Sequence, residues 1–266
     1  MLGKDTVKLP KVVTVVNQKG GVGKTTTAIN LASSLVSLGK KVVLVDFDPQ
    51  GNASTGLGVS LEDRSLTSYD VLVEKRPLKD ALRACQQHGL WVVPANADLS
   101  SADLTLAGGK ERVTAFSSSL EEFLSDGTQI DYIFVDCPPS LNLLTINALV
   151  ASDSALVPLQ PEFFALEGLS QLLLTIRDIR KAANESLRLE GVVLTMYDRR
   201  NNLTGQVEED ARKNLGQLVF ETVIPRNVKL SEAPSYGESI LSYSPSSAGN
   251  KAYMRLAEEF LNRQEG

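Results

Sequence analysis

The chain has 266 residues, 42% of them hydrophobic and 22% charged, enough material for one large α/β domain with a full core. A net charge of −5 excludes a protein that coats nucleic acid with its whole surface, though not a local basic patch. Its apolar runs fall short of the ~18 residues that a membrane-spanning helix needs, and two distant cysteines, Cys85 and Cys137, exclude a disulfide framework and point to a reduced cytoplasmic setting.

In chain order, residues 1–10 (MLGKDTVKLP) read as a flexible extension with no signal-peptide core. The run KVVTVVN (11–17) predicts a first strand, and its unbroken apolar character predicts cover on both faces. Directly after it, QKGGVGKTTT (18–27) predicts a phosphate-binding loop opening a helix from Thr25 to Leu38 that Gly39 closes. Gly20, Gly21 and Gly23 let the backbone turn tightly and aim its N–H groups at phosphate oxygens. Lys24 is placed to reach the β- and γ-phosphates and the Thr25 hydroxyl to ligate Mg²⁺. The helix N-terminus adds its dipole to the anion site. The ordinary G-x-x-x-x-G-K-[ST] pattern fails at its first position, where Gln18 stands, and an additional lysine, Lys19, follows.

The second strand, KVVLVD (41–46), runs into Asp46-Phe-Asp48-Pro-Gln-Gly. Two carboxylates two residues apart share one face of a strand until Pro49 turns the chain. Beside an ATP–Mg²⁺ site, one can accept from metal-bound water and the other can orient the attacking water. A helical pattern follows in LKDALRACQQ, then a polar turn, QQHG, in which the lone His88 supports no metal site. LWVVPA (90–95) predicts a strand, and 96–119 a helical excursion with a loop.

YIFVDC (132–137) is a strand whose Asp136 can deliver a carboxylate to the Mg²⁺ shell. Pro138 and Pro139 stiffen its exit into a loop able to report on the γ-phosphate. Cys137 reads as a buried small apolar residue. ALVPLQ (155–160), EGVVLTM (190–196) and LVFETVI (218–224) predict further strands between helical patterns at 141–151, 166–183 and 203–215. The alternation predicts a single domain, 1–266, on a doubly wound, mostly parallel sheet of about seven to eight strands flanked by helices. Its ligand should lie at the carboxyl ends of the strands. At the C-terminus, Ala252, Leu256 and Phe260 recur every four residues, with Glu258, Glu259 and Glu265 against Arg255 and Arg263. That pattern predicts a docked helix with an acidic face rather than a basic membrane anchor.

NQKGGVGKTTTAINLA, VDFDPQGN, VDCPPSLNLLTINAL, FFALEGL, GVVLTMYDRR and VIPRNVKLSEAPSYG, in this order and spacing, span almost the whole chain. Together they resemble the ParA/Soj partition ATPases of chromosomal type, P-loop NTPases with a deviant Walker A loop whose signature is the early lysine. The resemblance implies a cytoplasmic, nucleoid-associated Mg²⁺-ATPase that forms a homodimer on binding ATP. As that dimer it would bind double-stranded DNA non-specifically, away from any membrane, until a ParB-type centromere-binding partner stimulates hydrolysis. It implies that Lys19, Gly20, Gly21, Val22, Gly23, Lys24, Thr25 and Thr26 cradle the ATP phosphates, with Lys19 reaching the other subunit's nucleotide. Thr25 and Asp136 would serve the metal, and Lys19, Lys24 and Asp48 would serve hydrolysis. Met196, Pro225 and Asn227 are candidates for the adenine pocket, since they lie on loops after later strands. Arg199, Arg200, Arg226 and Lys229 match basic positions the family uses for DNA, where phosphate contacts need no base readout.

Other functions fit less well. A MinD-like, membrane-associated positioning ATPase shares the loop but needs a basic amphipathic C-terminal helix. A redox ATPase similar to the nitrogenase iron protein needs paired cluster cysteines, and Cys85 lacks the small Gly-rich loop such a ligand wants. A bacterial tyrosine kinase would carry a tyrosine-rich tail, whereas the 6 tyrosines here are scattered. A non-catalytic binding module would turn over no ATP.

Overall fold

The computed structural model describes residues 9–109, 111–125, 127 and 129–265. The expected flexible extension therefore lies, apart from Leu9 and Pro10, outside the described residues, as does the side chain of Glu265. Seven strands form one sheet: β1 (Lys11–Val15), β2 (Val42–Asp46), β3 (Arg83–Ala84), β4 (Leu90–Val93), β5 (Tyr132–Asp136), β6 (Ser154–Leu159) and β7 (Arg188–Leu194). Their order is β3-β4-β2-β5-β1-β6-β7, parallel throughout except where the short β3 lies antiparallel on β4. β2, β5 and β6 are buried at every position, which is why these segments read as unbroken apolar runs.

Alternate side chains feed opposite faces. Val13, Val15, Leu44 and Phe134 meet the helix Lys24–Ser37 and the C-terminal helix Ala248–Glu265. Val12, Val43, Val45, Ile133 and Val135 meet the helices Ala115–Ser125 and Leu143–Val150. Beyond β1, β6 and β7 pack on the helices Ala165–Ala182 and Asn202–Leu215. Helices thus cover both faces, and the doubly wound arrangement follows from the alternation in the sequence.

Two local expectations are overturned. LVFETVI (218–224) is no strand; it makes an isolated bridge between Val219 and Val192, and the next bridge, Pro225 with Tyr197, lies just past it. The reason lies in the C-terminal helix. The Glu259 carboxylate accepts the backbone N–H groups of Glu221 at 2.8 Å and Thr222 at 2.9 Å, taking the donors a ladder would use. Likewise LKDALRACQQ is not one helix. It coils only over Leu78–Ala81 and then turns extended, so that the Cys85 N–H can donate to the Leu90 carbonyl at 3.0 Å. Cross-strand pairing there outweighs a helix too short to hold itself. His88 is exposed in the turn between β3 and β4, as the polar sequence suggested.

The C-terminal helix is docked as expected. Leu256 and Phe260 are fully buried, and Phe260 meets Tyr132 edge to face at 5.5 Å. Phe260→Ala should lower unfolding stability by about 3–5 kcal/mol, the range for a buried aromatic truncated in a well-packed core. Urea denaturation followed by far-UV circular dichroism measures it.

Candidate functional site

Register puts the site together. Val15 on β1 and Asp46 on β2 both lie opposite Asp136 on β5, so three strand ends reach the same edge of the sheet. From that edge the loop after β1 turns through Gly21 (φ 74°) and Gly23 (φ 84°) into the helix that begins at Lys24. A side chain at either glycine would be strained, so the loop's shape requires them. Gly20 needs no such conformation and faces Pro139.

The loop is pinned from two later strands. The Thr195 hydroxyl, just past β7, donates to the Val22 carbonyl at 2.8 Å. The buried Asn17 donates to the Pro158 carbonyl on β6 at 2.8 Å and accepts the Lys19 N–H at 3.0 Å. Neither residue was expected from the sequence, because each acts through a partner more than a hundred positions away.

Lys24 is buried, and its Nζ donates to the Lys19 carbonyl at 3.1 Å. Burial holds its pKa below the usual lysine range, against the pull of Asp136, Cys137 and Asp48. Asp136 and Asp48 face that ammonium, and a third carboxylate, Asp46, crowds against them. Asp46 is satisfied internally: Oδ2 accepts the Ser54 N–H at 2.8 Å and hydroxyl at 2.6 Å, and Oδ1 accepts the Asp48 N–H at 3.1 Å. Burial still raises its pKa to about 6. Of the two acids in Asp46-Phe-Asp48, the first is therefore a fastening for the loop, and only Asp48 is left for chemistry. Asp48 is largely buried and accepts the Gln50 N–H at 3.0 Å.

Asp136 is different. It is fully buried, and neither of its carboxylate oxygens has a hydrogen-bond partner. Burial and the charge of Asp46 drive its pKa well above the carboxylate range; the nearby Thr25 hydroxyl offsets this only in part. Buried orphan acceptors are rare in proteins. A hydrated divalent cation, which Thr25 and Asp136 would hold, would answer that deficit, and Mg²⁺ suits it because it keeps several waters and takes few protein ligands. The residues present fit the ion. Cys137, beside it, is buried with its thiol pKa pushed up chiefly by burial, which leaves it unreactive.

Next to the loop lies a cleft of about 290 Å³. Met196, Pro225 and Asn227 line it together with Gly23 and Thr26, so the residues expected at an adenine site do converge beside the phosphate loop. Thr195, Ile224 and Tyr253 also line it and were not foreseen. Met196 holds a positive φ of 49°, uncommon for a side chain other than glycine or asparagine. The Asn227 side-chain Oδ1 accepts the Lys229 N–H at 2.8 Å, capping the short helix Val228–Glu232.

Lys19 extends from the loop into an exposed ion pair with Glu162. Immediately after Glu162, Phe163 and Phe164 stand 75% and 69% exposed, packed edge to face on one another. Of the four expected DNA contacts, Arg226 borders the nucleotide cleft. Arg199 borders a second cleft of about 450 Å³, which shares Pro225 with the first. Lys251 and Arg255 from the C-terminal helix also line that second cleft and enlarge its basic character. Arg200 grips Asp198 through two bonds of 2.9 and 2.8 Å, which holds the Asp198 pKa down to about 2. Lys229 pairs with Glu232 at 2.8 Å.

A family model described as an AAA domain matches residues 10–189. Chromosome partitioning protein ParA of Caulobacter vibrioides is 50% identical over 254 residues, which are 96% of this chain and 95% of that protein. Sporulation initiation inhibitor protein Soj of Bacillus subtilis is 49% identical over 249 residues, 94% of this chain and 97% of that one. Among solved structures, cobyrinic acid a,c-diamide synthase from Mycobacterium smegmatis, with bound ATP analog and magnesium, superposes with a TM-score of 0.83. It is 33% identical, and the match covers 97% of each chain.

The orphaned carboxylate yields a pH-dependent prediction. Its folded pKa lies above the unfolded value of about 3.9, so ionisation weakens the ligand-free fold as pH rises through that interval. Asp136→Asn should therefore raise ligand-free stability at pH 7.5, by on the order of 1 kcal/mol. The gain should vanish as pH falls toward 4, while Mg²⁺ ceases to strengthen nucleotide binding. Thermal melts across pH and a fluorescent-nucleotide titration with and without Mg²⁺ check both halves.

Proposed function

The chain belongs to the ParA/Soj family of chromosome-partitioning ATPases, and from that premise we propose that it hydrolyses ATP with Mg²⁺, dimerises when ATP is bound, and holds double-stranded DNA non-specifically as the dimer. A ParB-type centromere-binding protein would stimulate hydrolysis and release it, and its place would be the cytoplasm, on the nucleoid. The observation that carries this reading is the shared sheet edge, where Lys24, Thr25, Asp48 and the unpartnered Asp136 converge beside a cleft sized for a nucleoside.

Each residue has a task that its surroundings support. The loop N–H groups and Lys24 bind the phosphates, with Lys24 leaving the Lys19 carbonyl to do so. Bound Mg²⁺ would supply charge stabilisation at the phosphates, with Thr25 and Asp136 as its attachment. Asp48 orients the attacking water, its carboxylate steadied by the Gln50 N–H. The adenine enters among Met196, Pro225 and Asn227.

Lys19 is proposed to complete the other subunit's site. To do so it must give up Glu162, and since both partners are about half exposed that exchange costs about 0–1 kcal/mol. The exposed Phe163 and Phe164 give the same face apolar area to bury on pairing. For DNA, Arg199, Arg226, Lys251 and Arg255 offer cations around adjoining clefts, and Arg200 and Lys229 can trade exposed carboxylates for phosphates. A membrane-positioning role would require the C-terminal helix to surrender its buried Leu256 and Phe260, which counts against that alternative. No helix among the described residues is long and apolar enough to cross a membrane.

Lys19→Ala should keep ATP binding and lose the ATP-induced dimer, which light scattering reports; an unchanged dimer would refute the cross-subunit role. Asp48→Ala should hydrolyse at least a hundredfold more slowly and accumulate as an ATP-bound dimer on DNA. Normal phosphate release by that variant would remove Asp48 from the reaction. Arg199→Glu combined with Arg226→Glu should abolish DNA retention in gel shifts while dimerisation persists. The wild-type affinity should fall steeply between 50 and 200 mM salt, as phosphate contacts demand.

A further inference from the structure

Arg64 is as buried as Lys24, at 7% exposure, yet it forms no direct ion pair with a carboxylate among the described residues, although the charge of nearby Asp46 favours its ionised form. Its guanidinium donates instead to neutral oxygens: the Val59 carbonyl from Nε at 3.3 Å and Nη2 at 2.9 Å, the Ala95 carbonyl at 2.8 Å and the Thr55 hydroxyl at 2.7 Å. Burying a charge against neutral acceptors is costly, and an apolar side chain of similar volume would serve packing better. What the fork supplies that an apolar residue cannot is position.

The position it sets is that of the turn carrying Asp48. Thr55, held by Nη2, donates in turn to the Gly51 carbonyl at 3.1 Å, and the Gly51 N–H donates to the Asp48 carbonyl at 2.8 Å. Ala95, held by Nη1, gives its own N–H to the Ser54 hydroxyl at 2.9 Å, which donates to Asp46 at 2.6 Å. Asp46 closes the circuit by accepting the Asp48 N–H. The fit is tight: a Cβ built on Gly51 would lie 2.2 Å from Nη1 of Arg64. Arg64 thus reaches the Asp48–Gly51 turn through Thr55, and the Ser54 hydroxyl makes a second link from Ala95 to the same circuit.

We propose that Arg64 is a positioning residue for hydrolysis: it clamps the Asp48–Gly51 turn against the end of β4, so that the Asp48 carboxylate keeps one orientation, and does not itself touch the nucleotide. The inference rests on the hydrolytic role given to Asp48 above. A misplacement of a catalytic group by about 1 Å can cost on the order of a hundredfold in rate.

The test compares wild type, Arg64→Met, Arg64→Lys and Asp48→Ala in steady-state ATP hydrolysis, fluorescent-nucleotide titration and thermal melts. In Arg64→Met, kcat should fall at least tenfold while the nucleotide Kd stays within twofold, and Arg64→Lys should recover part of the rate. An unchanged kcat in Arg64→Met overturns the inference. So does a parallel loss of kcat and nucleotide affinity, which general loosening would produce. If the Met variant fails to fold, the same split between kcat and Kd is read from Arg64→Lys, and its absence there overturns the inference. Wild type without turnover, or Asp48→Ala at full rate, would strike the underlying functional reading instead. With both controls as expected, only the role of Arg64 is at stake.

Discussion

The site is built around a charge imbalance in a dry place. Asp46, Asp48 and Asp136 gather at one edge of the sheet, with Lys24 set against Asp136 and Asp48, and Arg64 near Asp46. Each carboxylate meets the imbalance differently. Asp46 takes three hydrogen bonds from its own loop. Asp48 takes one and keeps acceptor capacity for water. Asp136 takes none. Isolated buried charge is among the most expensive things a fold can contain. Its persistence makes sense where a cation and a polyanion arrive together, because the cation answers the carboxylate and the anion answers the lysine and the loop N–H groups. Mg²⁺ and phosphate would each relieve part of this unfavourable burial, so metal and nucleotide should bind more tightly together than apart.

The outer surface shows the opposite economy. Lys19, Arg200 and Lys229 each rest on an exposed carboxylate, Glu162, Asp198 and Glu232 respectively. Exposed pairs of this kind are worth little. They hold long cationic side chains in place without committing them, so an incoming phosphate can replace the carboxylate at small cost. Nothing in the sequence shows such pairing for Lys19, whose partner is more than a hundred residues away; for Arg200 and Lys229 the partners are two and three residues distant and could be read in principle. The four basic residues expected at DNA differ in their surroundings. Arg199 and Arg226 line clefts, and the other two are tethered.

What the sequence made legible is what depends on near neighbours. The phosphate loop, its helix and the strand-terminal acids are local patterns, and they fall where the alternation of strands and helices places them. The fully buried strands announced themselves by runs with no polar member. What stayed hidden depends on partners far along the chain. The 218–224 run has strand composition but loses its ladder to Glu259, and Cys85 sits in a helix-like pattern that β4 pulls straight. Asn17, Thr195 and Arg64 are polar residues whose importance consists in reaching across the fold to a backbone carbonyl, and no spacing rule registers that.

These hidden contacts share a logic with the visible ones. A phosphate loop and an acid on a strand end are common equipment; turnover needs them fixed relative to one another to a fraction of an ångström. In this fold that precision comes from hydrogen bonds joining one strand end to the next: Asn17 from β1 to β6, Thr195 from β7 back to the loop, and Arg64 from the Asp48 turn to β4. Each bond spans a gap between carboxyl ends, from neighbouring strands for Asn17 and Arg64 and across β6 for Thr195, where the ladder of the sheet no longer holds the chain. The sheet sets the coarse geometry by register, and these three side chains extend that register past the last ladder bond to the atoms that meet the nucleotide. A relative that kept the motifs but lost these cross-links would retain the parts of an ATPase without their alignment, so its nucleotide affinity should survive better than its turnover.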